Sequence, residues 1–265
     1  MSDYQRPARR VPTDPWRKFA LAGGVFYLLT FVFSIAAFFL YEPVLIDPNY
    51  IVGVGGSDNQ VILGGIFEML CALAGIGTAV ALYPVIRRQS EVASLGFVTT
   101  RVFEAGVQMV GVLALLAIVN IRQAGGALGT DSAAMVASGQ MLVAIRDQTA
   151  YLGPGFVPVL NALLLGYVLY RSRLIPSIIP VVGLIGAPLL LASLMGRMFG
   201  LLDETSVLAA IALAPIFFWE LSVGVWLTFK GFNPSAPILA DPATTVGGAP
   251  SSPRSPPAVA DAGAA

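Results

Sequence analysis

Five ionisable residues lie inside long apolar stretches of the sequence, where a charge is far from water. They are Glu68, Arg101, Glu104, Arg197 and Glu220. An ionisable side chain near the centre of a bilayer costs about 2.5–3.5 kcal/mol on insertion scales, so each is expected to have a partner and, by default, a function. Because the set contains three carboxylates and two guanidinium groups, we expect these side chains to pair inside a helix bundle.

Depth along the helices divides these residues into two layers. A rise of 1.5 Å per residue places Arg101, Glu104 and Glu220 about 9–14 Å from the cytoplasmic end of their helices, and Glu68 and Arg197 about 6–11 Å from the outer end. Arg101, Glu104 and Gln108 are spaced three and four residues apart, so they form one polar stripe on the third span. Glu220 is predicted to approach this stripe from the sixth span.

The inner layer has two interpretations. Arg101, Glu104, Gln108 and Glu220 can form a site for a small ligand, an ion or a proton, because two carboxylates near one arginine leave one of them without a positive partner. Alternatively, they only fix helix register, through contacts that average about 0.6 kcal/mol. For the outer layer, Glu68 and Arg197, we predict helix pairing.

The composition excludes much chemistry. The chain has no histidine, and Cys71 is its only cysteine, so it cannot build a His-ligated haem, a zinc site, a His-containing triad or an intramolecular disulfide by itself. Phosphate-loop, GxSxG and HExxH signatures are also missing. We therefore predict no cofactor and no metal, and disfavour an intramembrane enzyme acting on a lipid or a quinone. The formal net charge of zero gives no argument for nucleic acid.

The elements that position these residues are membrane spans. The chain is 56% hydrophobic and 11% charged, whereas soluble domains average about 25% charged residues. Six apolar stretches are each long enough to cross a core of about 30 Å: Phe19 to Tyr41, Val61 to Val85, Leu95 to Val119, Ala150 to Tyr170, Ile178 to Leu201 and Val207 to Phe229. Continuous apolar runs cross lipid as helices. The predicted fold is an all-α, polytopic six-helix transmembrane bundle.

Three regions follow from this division. Residues 1–18 carry five basic residues and three prolines and are predicted to be a disordered basic arm, 19–231 form the transmembrane domain, and 232–265 form a disordered Pro/Ala/Gly-rich tail. A cleavable signal peptide is an alternative for the first stretch. Its apolar run of about 23 residues favours an uncleaved helix, since signal peptides have 7 to 15.

The third connection contains a further possible helix, from Ser132 to Gln148. It is either a helix lying on the membrane surface or the N-terminal extension of the fourth span.

Basic residues near the span ends predict the orientation. One set of connections carries Arg6, Arg9, Arg10, Arg17, Lys18, Arg87, Arg88, Arg171, Arg173 and Lys230. The other set carries Glu42, Asp47, Asp58, Asp203 and Glu204, with Arg122 and Arg146 in the third loop. Both termini are thus predicted to be cytoplasmic. The expected partners are the lipid bilayer, anionic lipid head groups at the basic loops, and a protein partner or a second copy of the chain.

Several short motifs occur in a fixed order along the chain. They are Leu82-Tyr83-Pro84 with Arg87; Arg101 with Glu104; Leu169-Tyr170-Arg171-Ser172 with Ile175-Pro176; Gly183-Leu184-Ile185-Gly186; and Glu220 with Trp226-Leu227 and Lys230-Gly231-Phe232. In this order they resemble a bacterial multi-pass membrane family, domain of unknown function 4386, over about residues 17 to 232. Ser177 departs from the family pattern, which usually has a basic residue there. The resemblance implies six helices in a bacterial cytoplasmic membrane, and it implies no activity.

Overall fold

The part of the chain that the structure describes consists of helices joined by short turns and contains no strand. This structure is a computed structural model, and it describes residues 15–53, 55–128, 131–203 and 206–240. The α-helices in these ranges are α1 (Arg17–Ile46), α2 (Asp58–Ile86), α3 (Glu91–Leu128), α4 (Ser132–Ala150), α5 (Val157–Ser172), α6 (Ile178–Met198) and α7 (Val207–Phe229). A π-helix covers Tyr151–Phe156, and short 3-10 helices cover Tyr50–Val52 and Pro237–Leu239.

Six helical runs among the described residues are long and apolar enough to cross a membrane. The fourth is the continuous run Ser132–Ser172, in which α4, the π-helix and α5 follow one another without a break. The predicted six-helix, all-α fold is therefore confirmed. The helix predicted in the third connection is the N-terminal extension of the fourth span, and the surface-helix alternative is wrong.

The observed helices extend beyond the predicted apolar stretches. For example, α3 starts at Glu91 and α4 at Ser132, whereas the apolar stretches of these spans start at Leu95 and Ala150. Hydropathy identifies only the part of a helix that lies in the apolar core of the membrane. The backbone hydrogen bonds of the helix continue through polar residues beyond that part.

The spans close into a ring in the order α1, α2, α3, α5, α6, α7, and α7 packs back against α1. The contact between α7 and α1 is close because Gly24 of α1 has no side chain. A Cβ atom at Gly24 would lie 2.5 Å from the backbone nitrogen of Thr228. The helix backbones can approach only where a small residue leaves space, as is usual between helices in membranes.

Apolar packing is divided between two clusters of buried residues. One surrounds Tyr27, Leu82, Phe97 and Trp219, and the other surrounds Tyr41, Tyr50 and Leu115. We call the end of the bundle with Arg17, Arg88, Arg173 and Lys230 the basic end, and the end with Asp47, Asp58 and Asp203 the acidic end. The second cluster lies toward the acidic end, whereas the first extends from the basic end along α5, α6 and α7.

The segment after α7 corrects the predicted start of the tail. Phe232, Ala236 and Leu239 are buried against the first cluster, and the backbone N–H of Asn233 donates to the carbonyl of Leu174 at 2.7 Å. Residues 232–240 thus belong to the packed domain, because three apolar side chains cover the cluster at the basic end. The rest of the predicted tail (241–265), most of the predicted arm (1–14) and Glu204 lie outside the described residues.

Candidate functional site

Arg101 of α3 joins two carboxylates from different helices. Its Nη1 donates to Oε2 of Glu104 at 3.0 Å, and its Nη2 donates to Oε1 of Glu220 on α7, also at 3.0 Å. Nη2 also donates to the hydroxyl of Tyr27 on α1 at 3.0 Å. The i, i+3 spacing on α3 brings the first pair together, and the ring closure brings α1 and α7 to the same guanidinium. The structure therefore brings together the three charged residues predicted for the inner layer.

Glu104 has a second donor that the sequence interpretation missed. The amide Nδ2 of Asn161 on α5 donates to Oε2 of Glu104 at 3.0 Å, and Oγ1 of Thr100 donates to Oδ1 of Asn161 at 2.6 Å. The sequence does carry a signal, since Asn161 is an amide within an apolar helix, but it lies on no polar stripe of the kind that Arg101, Glu104 and Gln108 form on the third span. Tyr27 gave less signal, because tyrosine is common in membrane helices.

The outer layer is built differently from the prediction. Glu68 of α2 does not take Arg197 as its ion-pair partner: its Oε2 accepts from Nη2 of Arg146 on α4 at 3.1 Å. The same Nη2 donates to the hydroxyl of Tyr41 on α1 at 2.6 Å, and the Arg146 guanidinium lies 4.9 Å from the Tyr41 ring centroid. The sequence predicts Arg146 in the third loop. Arg146 is buried in the bundle because α4 continues the fourth span at its N-terminal end and includes this residue.

Arg197 lies near the start of the fourth span's π-helix. Its guanidinium is 5.2 Å from the ring centroid of Tyr151, whose hydroxyl donates to the carbonyl of Leu194 on α6. Arg197 therefore connects α6 with the π-helix, a different contact from the predicted pairing with Glu68.

Both polar layers line one cavity of about 270 Å³. Its walls include Arg101, Glu104 and Glu220 of the inner layer, Glu68 and Arg146 of the outer layer, and Gln108, which follows Glu104 by one helical turn. Two guanidinium groups and three carboxylates thus face a common space, with one negative charge in excess when all five are ionised. Wall positions are also contributed by Thr30, Phe31, Ser34, Phe38, Tyr41, Cys71, Pro154 and Pro158.

The two carboxylates that share Arg101 are not equivalent. Glu104 accepts from both Arg101 and Asn161, whereas the hydrogen bond that the structure gives Glu220 comes from Arg101. The side chain of Glu220 is 17% exposed and that of Glu104 is 10% exposed. Glu220 is therefore the carboxylate whose charge is less stabilised by hydrogen-bond donors and whose side chain is more exposed. In the described ranges, no three His, Cys, Asp or Glu side chains cluster in a way that could hold a metal ion.

These features define a class: a multi-pass membrane protein with six spanning helices and a polar cavity inside the bundle. Residues 22–231 match the family described as Domain of unknown function (DUF4386), and the chain belongs to this family. No curated protein and no solved structure matches it.

Proposed function

We propose that this membrane protein binds a proton or a small cation in the cavity between its two polar layers, in a transport-like or sensing role. One observation carries the proposal: a single guanidinium, Arg101, pairs with two carboxylates, Glu104 and Glu220, in a space that can hold a small molecule. Two like charges close together in a poorly solvated site favour the uptake of positive charge.

Glu220 is the residue that we propose takes up the proton. The charged and titratable groups facing it are Arg101 and Glu104 of α3, Tyr27 of α1 and Cys71 of α2. Arg101 already has Glu104 as a counter-ion, so it compensates only part of the Glu220 charge. A proton on Glu220 would leave Arg101 and Glu104 as a balanced pair.

Infrared difference spectroscopy on the reconstituted protein tests this assignment. A carboxyl group shielded from water gives a high-frequency carbonyl band when it is protonated. We expect such a band to appear as the pH falls and to be absent in Glu220→Gln. Glu42→Gln, at an exposed position of the acidic end, is the matched control and should keep the band. If no band in the titration depends on Glu220, the proposal is wrong.

A second candidate is a structural role, in which the charges only lock the helices together. The short ion pairs of both layers, at 3.0 and 3.1 Å, favour it. The two candidates differ in what Glu220→Gln does. Glutamine can still accept from Arg101, so a binding site would lose the proton signal and keep its fold. In a structural clamp the substitution would lower thermal stability and remove no proton signal.

The location and partners of the chain belong to the same proposal. We place both termini in the cytoplasm of a bacterial cell, with the protein in the cytoplasmic membrane, because the basic end carries the excess of Lys and Arg. Arg88 and Lys230 would then contact anionic lipid head groups, which attract basic residues near the membrane surface. Association with a protein partner or with a second copy remains a prediction from the sequence.

A further inference from the structure

On one face of α1, along the cavity, the two ends are buried and the middle is exposed. The residues Tyr27, Phe31, Ser34, Phe38 and Tyr41 follow one another at steps of three or four and so lie on one stripe of the helix. Tyr27 and Tyr41, at the two ends of the stripe, are 1% and 5% exposed, whereas Phe38 between them is 52% exposed and Ser34 is also exposed. Ser34 and Phe38 nevertheless line the central cavity.

The exposed middle of this stripe forms one rim of a gap in the cavity wall. The opposite rim lies on the π-helix. Pro154 is exposed and lines the same cavity. Toward the basic end the gap is closed by Phe31, whose ring packs edge-on against Phe217 of α7 with 5.3 Å between centroids. Toward the acidic end it is closed by Tyr41, which accepts the hydrogen bond from Arg146. The cavity therefore has an opening at the side of the bundle, which we call the lateral opening.

The lateral opening lies at membrane depth. Ser34 is 17 residues beyond Arg17 in a helix of 30 residues, so it lies about 26 Å along a helix about 45 Å long. The neighbouring side chains on the outer face of α1 are apolar and exposed, with Val32 at 58% and Ile35 at 52%. A molecule that passes through the lateral opening must therefore come from the hydrocarbon of the bilayer.

We infer that the ligand of the cavity is a lipid-soluble amine that enters sideways from the bilayer. The inference rests on the proposed function and specifies its ligand. The ammonium group would compensate the excess negative charge beside Glu104 and Glu220, and the apolar part would lie between Phe31, Phe38 and Pro154. The two phenylalanine rings add cation–π attraction for an ammonium passing them.

Binding of two amines to the full chain in lipid nanodiscs tests this. The probes are dodecylamine, which partitions into bilayers, and methylammonium, which has the same charged group and stays in water; dodecanol is the uncharged control. We expect dodecylamine to bind most tightly and the Glu220→Gln variant to weaken it. Ser34→Phe should block the lateral opening and weaken dodecylamine binding about tenfold or more, a typical effect of steric exclusion from an apolar pocket. Ile35→Phe, which places the same ring on the neighbouring lipid-facing position, should leave binding unchanged.

The outcomes separate this inference from the proposal beneath it. If Ser34→Phe binds dodecylamine as the wild type does, or if methylammonium binds as tightly as dodecylamine, lateral access is wrong, while the infrared band of Glu220 still supports proton binding. If dodecanol binds equally well, the ligand is not selected by charge and the amine assignment is wrong. If Ser34→Phe fails to fold, Phe38→Trp places the obstruction one helical turn further along the same rim and is expected to give the same loss. Absence of the Glu220 band overturns the proposed function itself.

Discussion

Arg101 makes two ion pairs and a hydrogen bond to a tyrosine, and only 6% of its side chain is exposed. Two of these contacts join helices, because Tyr27 lies on α1 and Glu220 on α7, whereas the contact with Glu104 is made within α3. A buried ion pair adds little net stability compared with an apolar pair, yet loss of one partner leaves an uncompensated charge. We therefore expect Arg101 to stabilise the fold in any role that the cavity has.

Arg101→Ala should lower the free energy of unfolding by about 3–5 kcal/mol, since two carboxylates would remain buried without a cation. Thermal unfolding in detergent, followed by circular dichroism, measures the loss. Arg171→Ala is the matched control: Arg171 is exposed in the last turn of α5, where loss of a surface charge should change the stability by about 0.5 kcal/mol or less. Equal losses in the two variants would contradict the importance given to Arg101.

Tyr50, in the 3-10 helix outside the spans, gives a pH-dependent prediction. Burial and the hydrogen bond that its hydroxyl donates to Asp58 raise the pKa of this phenol above its ordinary value. The folded state therefore holds the phenol proton more tightly than the unfolded state. The resulting stability is complete below the ordinary pKa, near 10.0, and is lost as the pH rises through the folded value.

Comparison with Tyr50→Phe isolates this contribution, because the other tyrosines are common to both proteins. We expect the wild type to lose stability more steeply than the variant above about pH 10, where the unfolded phenol ionises. Unfolding temperatures measured between neutral and alkaline pH report the difference. Parallel curves for the two proteins would show that Tyr50 is not coupled to folding.

At the scale of elements, the length of α4 decides which charges meet. The apolar stretch of the fourth span begins at Ala150, so hydropathy left Arg146 in a loop and made Arg197 the obvious partner for Glu68. In the structure the helix continues upstream to Ser132 and carries Arg146 into the bundle. The π-helix between α4 and α5 contains Gly153, Pro154 and Gly155, and π-helical turns of this kind often occur at functional sites. Sequence periodicity does not reveal such a turn, because one inserted residue changes the helix face without changing hydropathy.

The contact of α1 with α7 gives the prediction at this scale. In Gly24→Ala the new Cβ would overlap the backbone nitrogen of Thr228, so the two helices must separate and Tyr27 would shift relative to Arg101. We expect a loss of about 1–3 kcal/mol, as for other overpacked contacts. Thermal unfolding measures it.

Gly106→Ala on α3 is the matched control for this substitution. A Cβ atom there would have no neighbour within 4 Å, so the substitution should be neutral or stabilise the helix by up to about 1 kcal/mol. Destabilisation of the same size in both variants would mean that the loss of glycine itself, and not the close approach of α1 and α7, is responsible.

For the whole molecule, the six spans could be predicted because every backbone group in lipid must be satisfied within a helix, so length and apolar composition identify each span. The meeting of Arg101, Glu104 and Glu220 could be predicted in part, since depth along each helix follows from the residue count. The cavity and its lateral opening could not, because they depend on how far α7 and the π-helix lie from α1. Which end of the bundle faces the cytoplasm depends on a different property, the uneven distribution of Lys and Arg between the two ends.

Cysteine labelling tests the predicted orientation, and the chain is suited to it because its only cysteine, Cys71, is buried. Asn49→Cys places a thiol in an exposed position at the acidic end, and Ser235→Cys places one in an exposed position at the basic end. A membrane-impermeant maleimide added to intact cells should label the first variant and should reach the second only after permeabilisation. The wild type is the control for background labelling of Cys71. The reverse pattern would put the basic end outside, and the orientation argued from Lys and Arg would be wrong, because these residues are retained on the cytoplasmic side during insertion.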